Sequence, residues 1–429
     1  LTTPTFDREE ALSVDRRSPA RSRRPDGRGG PAGFVVFVTA AFPFVVPLVP
    51  STDTQPTFTL FVLLFALATV AQCLSRDVLL PRGGLLLAGV VFGGGVAWLC
   101  FSILANGFAA SNPNRVASFI MFLIATVTGL LNRRIFSGPR VLTALTAYLF
   151  FTILFFLTAG KVESAIIQSR SADMIYQVGT SGRGASTLSP EPSFFAFQVF
   201  TIFLLARMNV WSILDYRRRH IIQLITVLLL IASFAGYGIL YALMVIFLSG
   251  RRYVFGFGLL GAVAVTLIVN VYAIDSLRFV KLFLSIAASL AGGAFELEDV
   301  SILVRLTSFQ EYWRIFLDRT VFGDAFQFHG GGGLVSLLAS LGLYGVLLIV
   351  AVVIAISVSR IEGKLKLVLL AWLTLQFISG PIGLPMVGLT IGVLLGRSRL
   401  GAMVSAINTL VNRRRGVGTP LASFARPSR

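Results

Sequence analysis

Apolar runs close to membrane-spanning length alternate with short polar breaks along most of this chain. They fall at 34–50, 57–74, 84–105, 116–131 and 141–159. A polar stretch, 160–192, leads into an apolar helix that starts after Glu191 and runs to about 210. Runs at 221–249 and 253–272 follow, then a second long polar and amphipathic stretch, 273–333. Runs at 334–357, 367–379 and 382–396 complete the pattern. A helix needs about 20 apolar residues to cross a bilayer, so the pattern predicts an all-α polytopic membrane protein.

The run 221–249 decides the topology. It is interrupted by Ser233-Phe234-Ala235-Gly236-Tyr237-Gly238. As one tilted helix it would put the two long loops on opposite faces. Split at Gly236–Gly238, it becomes a tight hairpin, and the chain has about 12 spans. The positive-inside rule selects the split. It gathers 28 of the 37 basic residues, with both termini, on the cytoplasmic side. Arg115, Lys161, Arg170, Arg183, Arg278, Lys281, Arg305, Arg314 and Arg319 remain outside. Both long loops, 160–192 and 273–333, then face the exterior. The expected organisation is a disordered basic tail (1–33), a membrane domain (34–396) and a second basic tail (397–429).

Composition agrees with this class: 55% of residues are hydrophobic, 13% are charged, and mean hydropathy is +0.82. A net charge of +18 suggests nucleic acid at first sight. The placement of the charges instead makes them an orientation signal and a contact for anionic lipid, with no nucleic-acid partner expected. Cys73 and Cys100 both lie in apolar runs, so no disulfide framework or thiolate metal site is readable. With only His220 and His329, and no D-x-D motif, no metal or cofactor is expected. No Asp, Glu or Lys falls inside a predicted span, whereas ion-coupled transporters keep such residues near the midplane.

The candidate chemistry therefore lies in the loops. Gly179–Ala196 is a glycine-rich polar stretch that runs directly into a helix, with Pro192 suited to its first turn. Glu191 then stands at the helix N-terminus, and Arg183 lies eight residues earlier. A helix N-terminus with an arginine nearby can receive a phosphate. The bland alternative is a capped helix start in which Arg183 simply pairs with Glu191. In the second loop, 277–290 reads as an amphipathic helix lying on the membrane surface and 300–319 as another helix. Arg305 and Arg314 are nine residues apart, on opposite sides of that helix. Arg314 has Glu311 and Asp318 at ion-pair spacing, while Arg305 has no carboxylate there. Arg305 is thus the better candidate for an external anion, its bland alternative being a solvated surface arginine. His329 precedes four glycines and the next span, where an imidazole can act as acid, base or phosphate donor. A lone histidine beside a helix start also occurs without any role.

With the topology placed, the pattern resembles the O-antigen polymerase and O-antigen ligase superfamily, nearest to its exopolysaccharide polymerases. The resemblance covers roughly 34–396. It rests on Gly182-Arg183-Gly184 followed by Pro190-Glu191-Pro192-Ser193, on the break at Ser233–Gly238, and on Arg305-Leu306 opening the large loop. Phe322-Gly323, His329 and the Gly342-Leu343-Tyr344-Gly345 helix resemble the family's loop end. The family often has His-Asn or Asn-Ser before its last long helix, whereas His329 is followed by glycines.

The resemblance implies a glycosyltransferase that uses a polyprenyl-diphosphate-linked glycan as donor and an acceptor glycan hydroxyl as nucleophile. Arg183, Arg305 and Arg314 would be the diphosphate-binding candidates, Arg305 ahead of Arg314. Glu191 or His329 would be the base, and arginines would supply the charge stabilisation without a metal. Membrane lipids, a chain-length regulator and a flippase are the further partners implied. A ligase acting on a lipid, protein or wall acceptor is the alternative in the same class. A lipid-linked oligosaccharide transporter is the alternative in another class, and an intramembrane serine protease has no G-x-S-x-G to support it. The shared exterior face is testable: cysteines placed at Ser186 and at Ser301 should both react with an impermeant reagent in intact cells. Reaction at only one site would disprove the split and the common face.

Overall fold

The computed structural model describes residues 31–43, 64–69, 82–107, 111–131, 135–158, 162, 185, 187–189, 191–233, 235–249, 300–327, 333–359, 361–379 and 385–398. Among the described residues, 85% are helical and none is in a strand. The helices are α1 (Pro31–Ala41), α2 (Arg82–Asn106), α3 (Pro113–Leu131), α4 (Gly138–Thr158) and α5 (Pro192–Asn209). They continue with α6 (Tyr216–Ala232), α7 (Gly236–Ser249), α8 (Val300–Asp318), α9 (Val335–Leu341), α10 (Leu343–Val358), α11 (Gly363–Ser379) and α12 (Pro385–Arg397). The expected N-terminal tail up to residue 30, the span 253–272, the surface helix 277–290 and the C-terminal tail from 399 lie outside the described residues.

Two segments, Gly84–Asn106 of α2 and Gly138–Thr158 of α4, are long and apolar enough to cross a membrane by length and composition. Only 28% and 33% of their apolar windows are buried in the protein, and both present exposed leucines and phenylalanines. A core helix of a water-soluble domain is mostly buried, so these two do not read as such cores. The remaining apolar helices, among them α7, α10 and α12, are shorter. The fold is compatible with a helical membrane protein, while 12 spans are not established by it.

The small-residue break is where the sequence puts it: α6 ends at Ala232 and α7 begins at Gly236. The helix expected over 300–319 is α8. The run 334–357, expected as one span, is a correction. It is divided at Gly342, whose φ of 51° lies in the left-handed region. A Cβ there would collide with the backbone carbonyls of Thr320 and Val321, which pack against this point. The break frees the last carbonyls of α9, and each finds a donor. The Leu338 carbonyl keeps its helical bond from Gly342 N at 2.8 Å, while the freed Ala339 carbonyl accepts from Asp324 N at 2.8 Å. The Ser340 carbonyl accepts from Ala325 N at 3.1 Å, and that of Leu341 from Trp98 Nε1 at 2.8 Å.

The tightest helix pair is α3 with α12, which run in the same direction. Gly388 sits on the Phe122 carbonyl and Gly392 on that of Thr126, four residues further along both helices. Gly129 meets the Leu389 carbonyl in return. Small residues let the two backbones touch, the usual device for helix association in an apolar medium.

Side-chain contacts define two ends of the bundle. At one end Arg207, at the close of α5, pairs with Glu362 at 3.0 Å and reaches the Leu248 carbonyl of α7 at 3.4 Å. Its guanidinium also lies 4.5 Å from the Trp211 ring centre. The opposite end collects the start of α5, the α6–α7 connection and the end of α11. Helix α8 packs at that end, with Phe309 against Phe377 of α11 at 6.1 Å and Tyr312 packed on Val335 and Ala339 of α9.

Replacing Gly392 by Val should therefore separate α3 from α12 and lower stability by roughly 1–3 kcal/mol or more, as overpacking does. Gly93, which has nothing within 4 Å of a built Cβ, serves as the control. Gly93→Ala should leave the melting temperature of the detergent-solubilised protein unchanged or slightly raised. Equal melting temperatures for both variants would contradict the packing described.

Candidate functional site

The start of α5 is built by Pro192, which occupies its first turn with no N–H to lose. Glu191 is the N-cap residue, extended at φ −142° and ψ 149°, and its carbonyl accepts the first helical bond from Phe195 N at 3.0 Å. Its carboxylate does not cap the helix. Instead Glu191 Oε2 accepts a hydrogen bond from Ser193 Oγ at 3.1 Å. The side chain is half-buried.

The loop before it is tied down. Ala185 N donates to the carbonyl of Ala232, the last residue of α6, at 3.0 Å. Thr187, Leu188 and Ser189 are buried, and Thr187 has a positive φ of 46°. The α6–α7 connection is equally close: Gly238 lies against Ser233 Oγ, the Leu230 carbonyl and Ala196 of α5. The segments on either side of the Glu-Pro-Ser start therefore pack on the small-residue break, through Ala185 on Ala232 and Ala196 on Gly238. Arg183 lies outside the described residues.

Helix α8 presents two distinct faces. Arg314 is exposed, with Glu311 Oε2 and Asp318 Oδ2 each 3.9 Å from its guanidinium. Tyr312, by contrast, is fully buried. Arg305 lies seven residues before Tyr312, two turns back along the same stripe of the helix. Arg314 is half a turn round from both Arg305 and the buried stripe.

From α8 the chain continues into 319–327, a stretch stapled to its neighbours. Arg319 Nη1 donates to Asn106 Oδ1 at 2.7 Å, and Asn106 Nδ2 donates to the Gly323 carbonyl at 2.9 Å. Ala325 and Phe326 both have positive φ, 53° and 64°. They are held by the bonds to α9, by Phe326 N donating to Asp324 Oδ1 at 3.0 Å, and by Asn112 N donating to the Phe326 carbonyl at 3.3 Å. His329, two residues beyond this stretch, lies outside the described residues.

One grouping was not singled out by sequence. Arg115, in the first turn of α3, donates from Nη1 to Tyr312 Oη at 2.8 Å. Burial pushes the Tyr312 phenol above its ordinary pKa, Arg115 works against the rise through its charge and hydrogen bond, and the charge of Asp324 adds to it. Arg115 and Tyr312 are 197 positions apart, so no local spacing could have paired them. The one available signal was the place of Arg115 among the few basic residues assigned to the exterior.

Among the described residues, no group of three or more His, Cys, Asp or Glu side chains is placed to hold a metal ion. No known protein family, no curated protein and no solved structure matches the chain.

The exposed, long ion pairs of Arg314 carry little stability. Arg314→Ala should shift unfolding by no more than about 0.5 kcal/mol, measured as a melting temperature in detergent at low and high salt. A large, salt-dependent drop would mean that these pairs anchor α8.

Proposed function

We propose that this chain is a polysaccharide polymerase of the bacterial cytoplasmic membrane that works at its exterior face, with both termini cytoplasmic. The donor is a glycan carried on a polyprenyl diphosphate, and the acceptor is a hydroxyl of a second glycan. The observation that carries this reading is the convergence at one end of the bundle. The Glu191 loop, the α6–α7 break and the helix bearing Arg305 all belong to that end, opposite the end marked by Arg207 and Glu362. The motif resemblance supplies the reaction class, and what supports it in the fold is that these segments, far apart in sequence, lie at the same end of the bundle.

In the proposed reaction the acceptor oxygen forms a bond to the anomeric carbon of the donor. The bond from that carbon to the diphosphate oxygen breaks, and lipid diphosphate leaves with the electron pair. The acceptor proton passes to a base, Glu191 or His329. Glu191 stands at the start of α5, where its carboxylate accepts a hydrogen bond from the Ser193 hydroxyl. Negative charge develops on the leaving diphosphate, where Arg183 and Arg305 neutralise it. Arg314, on the outer face with Glu311 and Asp318, contributes less. Arginines supply the required charge stabilisation, so the reaction is proposed to proceed without a metal.

Purified protein given lipid-diphosphate repeat units should form polymer in the presence of chelator. If Glu191 is the base, Glu191→Gln should lose roughly 10²-fold or more in turnover while still binding donor. If Glu191 only positions the loop, His329→Ala should be the inactive variant instead. Arg305→Ala should be far more damaging than Arg314→Ala. Near-normal turnover in both Glu191→Gln and His329→Ala would eliminate both bases. Activity lost to chelator and restored by a divalent ion would overturn the metal-free reaction. Full-length but unattached chains in a deletion strain would identify a ligase instead.

A further inference from the structure

Helix α8 is the segment that sets where Arg305 stands, and its hold on the bundle is unusual. Hydrogen bonds staple the stretch that follows its C-terminal end, and along the helix itself rings pack on the bundle: Phe309 on Phe377, and Tyr312 over Val335 and Ala339. Packed rings resist separation but permit a helix to roll about its axis. A hydrogen bond to a buried group does not, because it is directional and costly to leave unmade. The bond from Arg115 Nη1 to Tyr312 Oη, at 2.8 Å, is such a bond. It joins α8 to the first turn of α3, the helix locked backbone-to-backbone with α12. Position 305 lies two turns before Tyr312 on the same helix, so a bond that fixes the rotation of α8 at Tyr312 also fixes the direction in which the backbone at 305 faces.

The Tyr312 phenol has a second role at this junction. It also feels the charge of Asp324, in the loop that runs on toward His329. The phenol is a neutral hydroxyl at neutral pH, its pKa raised further by burial, and it accepts from Arg115 in that form.

We propose that Arg115 is a positioning residue for the diphosphate site: acting through Tyr312, it fixes the rotation of α8 and thereby the station of Arg305. The part concerning diphosphate rests on the polymerase reading, while the rotational lock does not. Two arms keep them apart.

The first arm is kinetic and uses the full-length protein with lipid-diphosphate repeat units. Tyr312→Phe keeps the ring and removes the hydroxyl, and should lower kcat/KM for the donor roughly tenfold. Arg115→Leu should match it, and Arg115→Lys, which keeps a donor, should recover part of the loss. In an Arg305→Lys background, adding Tyr312→Phe should cost no more than about twofold, because both changes act through one contact. A full tenfold loss in that background would show that Tyr312 acts independently of Arg305, and would overturn the proposal.

The second arm needs no activity. Ser308, buried on the same side of α8, is replaced by Cys in a background lacking Cys73 and Cys100. Its reaction with an impermeant thiol reagent should be slow in the parent and roughly fivefold faster with Tyr312→Phe or Arg115→Leu, as local opening rises. Unchanged labelling would overturn the lock even if the kinetic loss were seen. Faster labelling in a protein that makes no polymer would uphold the lock and reject the polymerase reading.

Discussion

The backbone contact between α3 and α12 is the reference against which the rest of the molecule is placed. In a chain this apolar, burial of hydrophobic surface does not by itself choose which helices meet. The exposed faces of α2 and α4 are as greasy as the buried ones. Selection falls to shape, and Gly129, Gly388 and Gly392 provide a seam where the main chains of two long helices meet directly. The early turns of α3 then organise the second long loop. Asn112 N holds the Phe326 carbonyl, Arg115 holds Tyr312, and the Phe119 ring lies 5.7 Å from that of Phe326 and 6.4 Å from that of Tyr344. A rigid helix pair thus reaches forward to position a helix and a loop, both belonging to the segment 300–327.

Much of the helical layout was legible because apolar runs and their polar breaks carry it. The hairpin at Ser233–Gly238 could be read because four small residues cluster there, and Gly238 does sit where a side chain would strike Leu230 and Ser233. The division at Gly342 was not legible. One glycine in a run of leucines and valines is ordinary, and the contact that demands it comes from Thr320 and Val321. The start of α5 could be read from Pro192 and Glu191, yet the Ser193 hydroxyl on the carboxylate had no distinctive spacing. Helical periodicity separated Arg305 from Arg314 on α8 but did not show which ring is buried: Tyr312 is, whereas the adjacent Trp313, part of the apolar stripe that the spacing suggests, is exposed. The lock of α8 was not legible either, because the partner comes from α3. The Arg207–Glu362 pair was invisible for the same reason, being 155 positions apart.

The division at Gly342 and the left-handed residues Ala325 and Phe326 are one arrangement seen from its two sides. Non-glycine residues held with positive φ cost on the order of 1 kcal/mol or more each, so the surroundings must fix them. Those surroundings are the carbonyls at the end of α9. An unbroken helix through 342 would have used the Ala339 and Ser340 carbonyls within itself. Ended at Leu341, the helix offers them to Asp324 N and Ala325 N, while Ser102 Oγ reaches both the Phe322 and Ser340 carbonyls. Gly323 and Gly342 make the close approach mutual, each facing the backbone of the other's segment. The chain thus gives up one long helix to gain a fixed, strained turn immediately before His329. For the proposed reaction, a firmly held stretch ahead of a candidate base is an advantage over a free loop. Effective acid–base chemistry requires the group to wait at hydrogen-bond distance from its target.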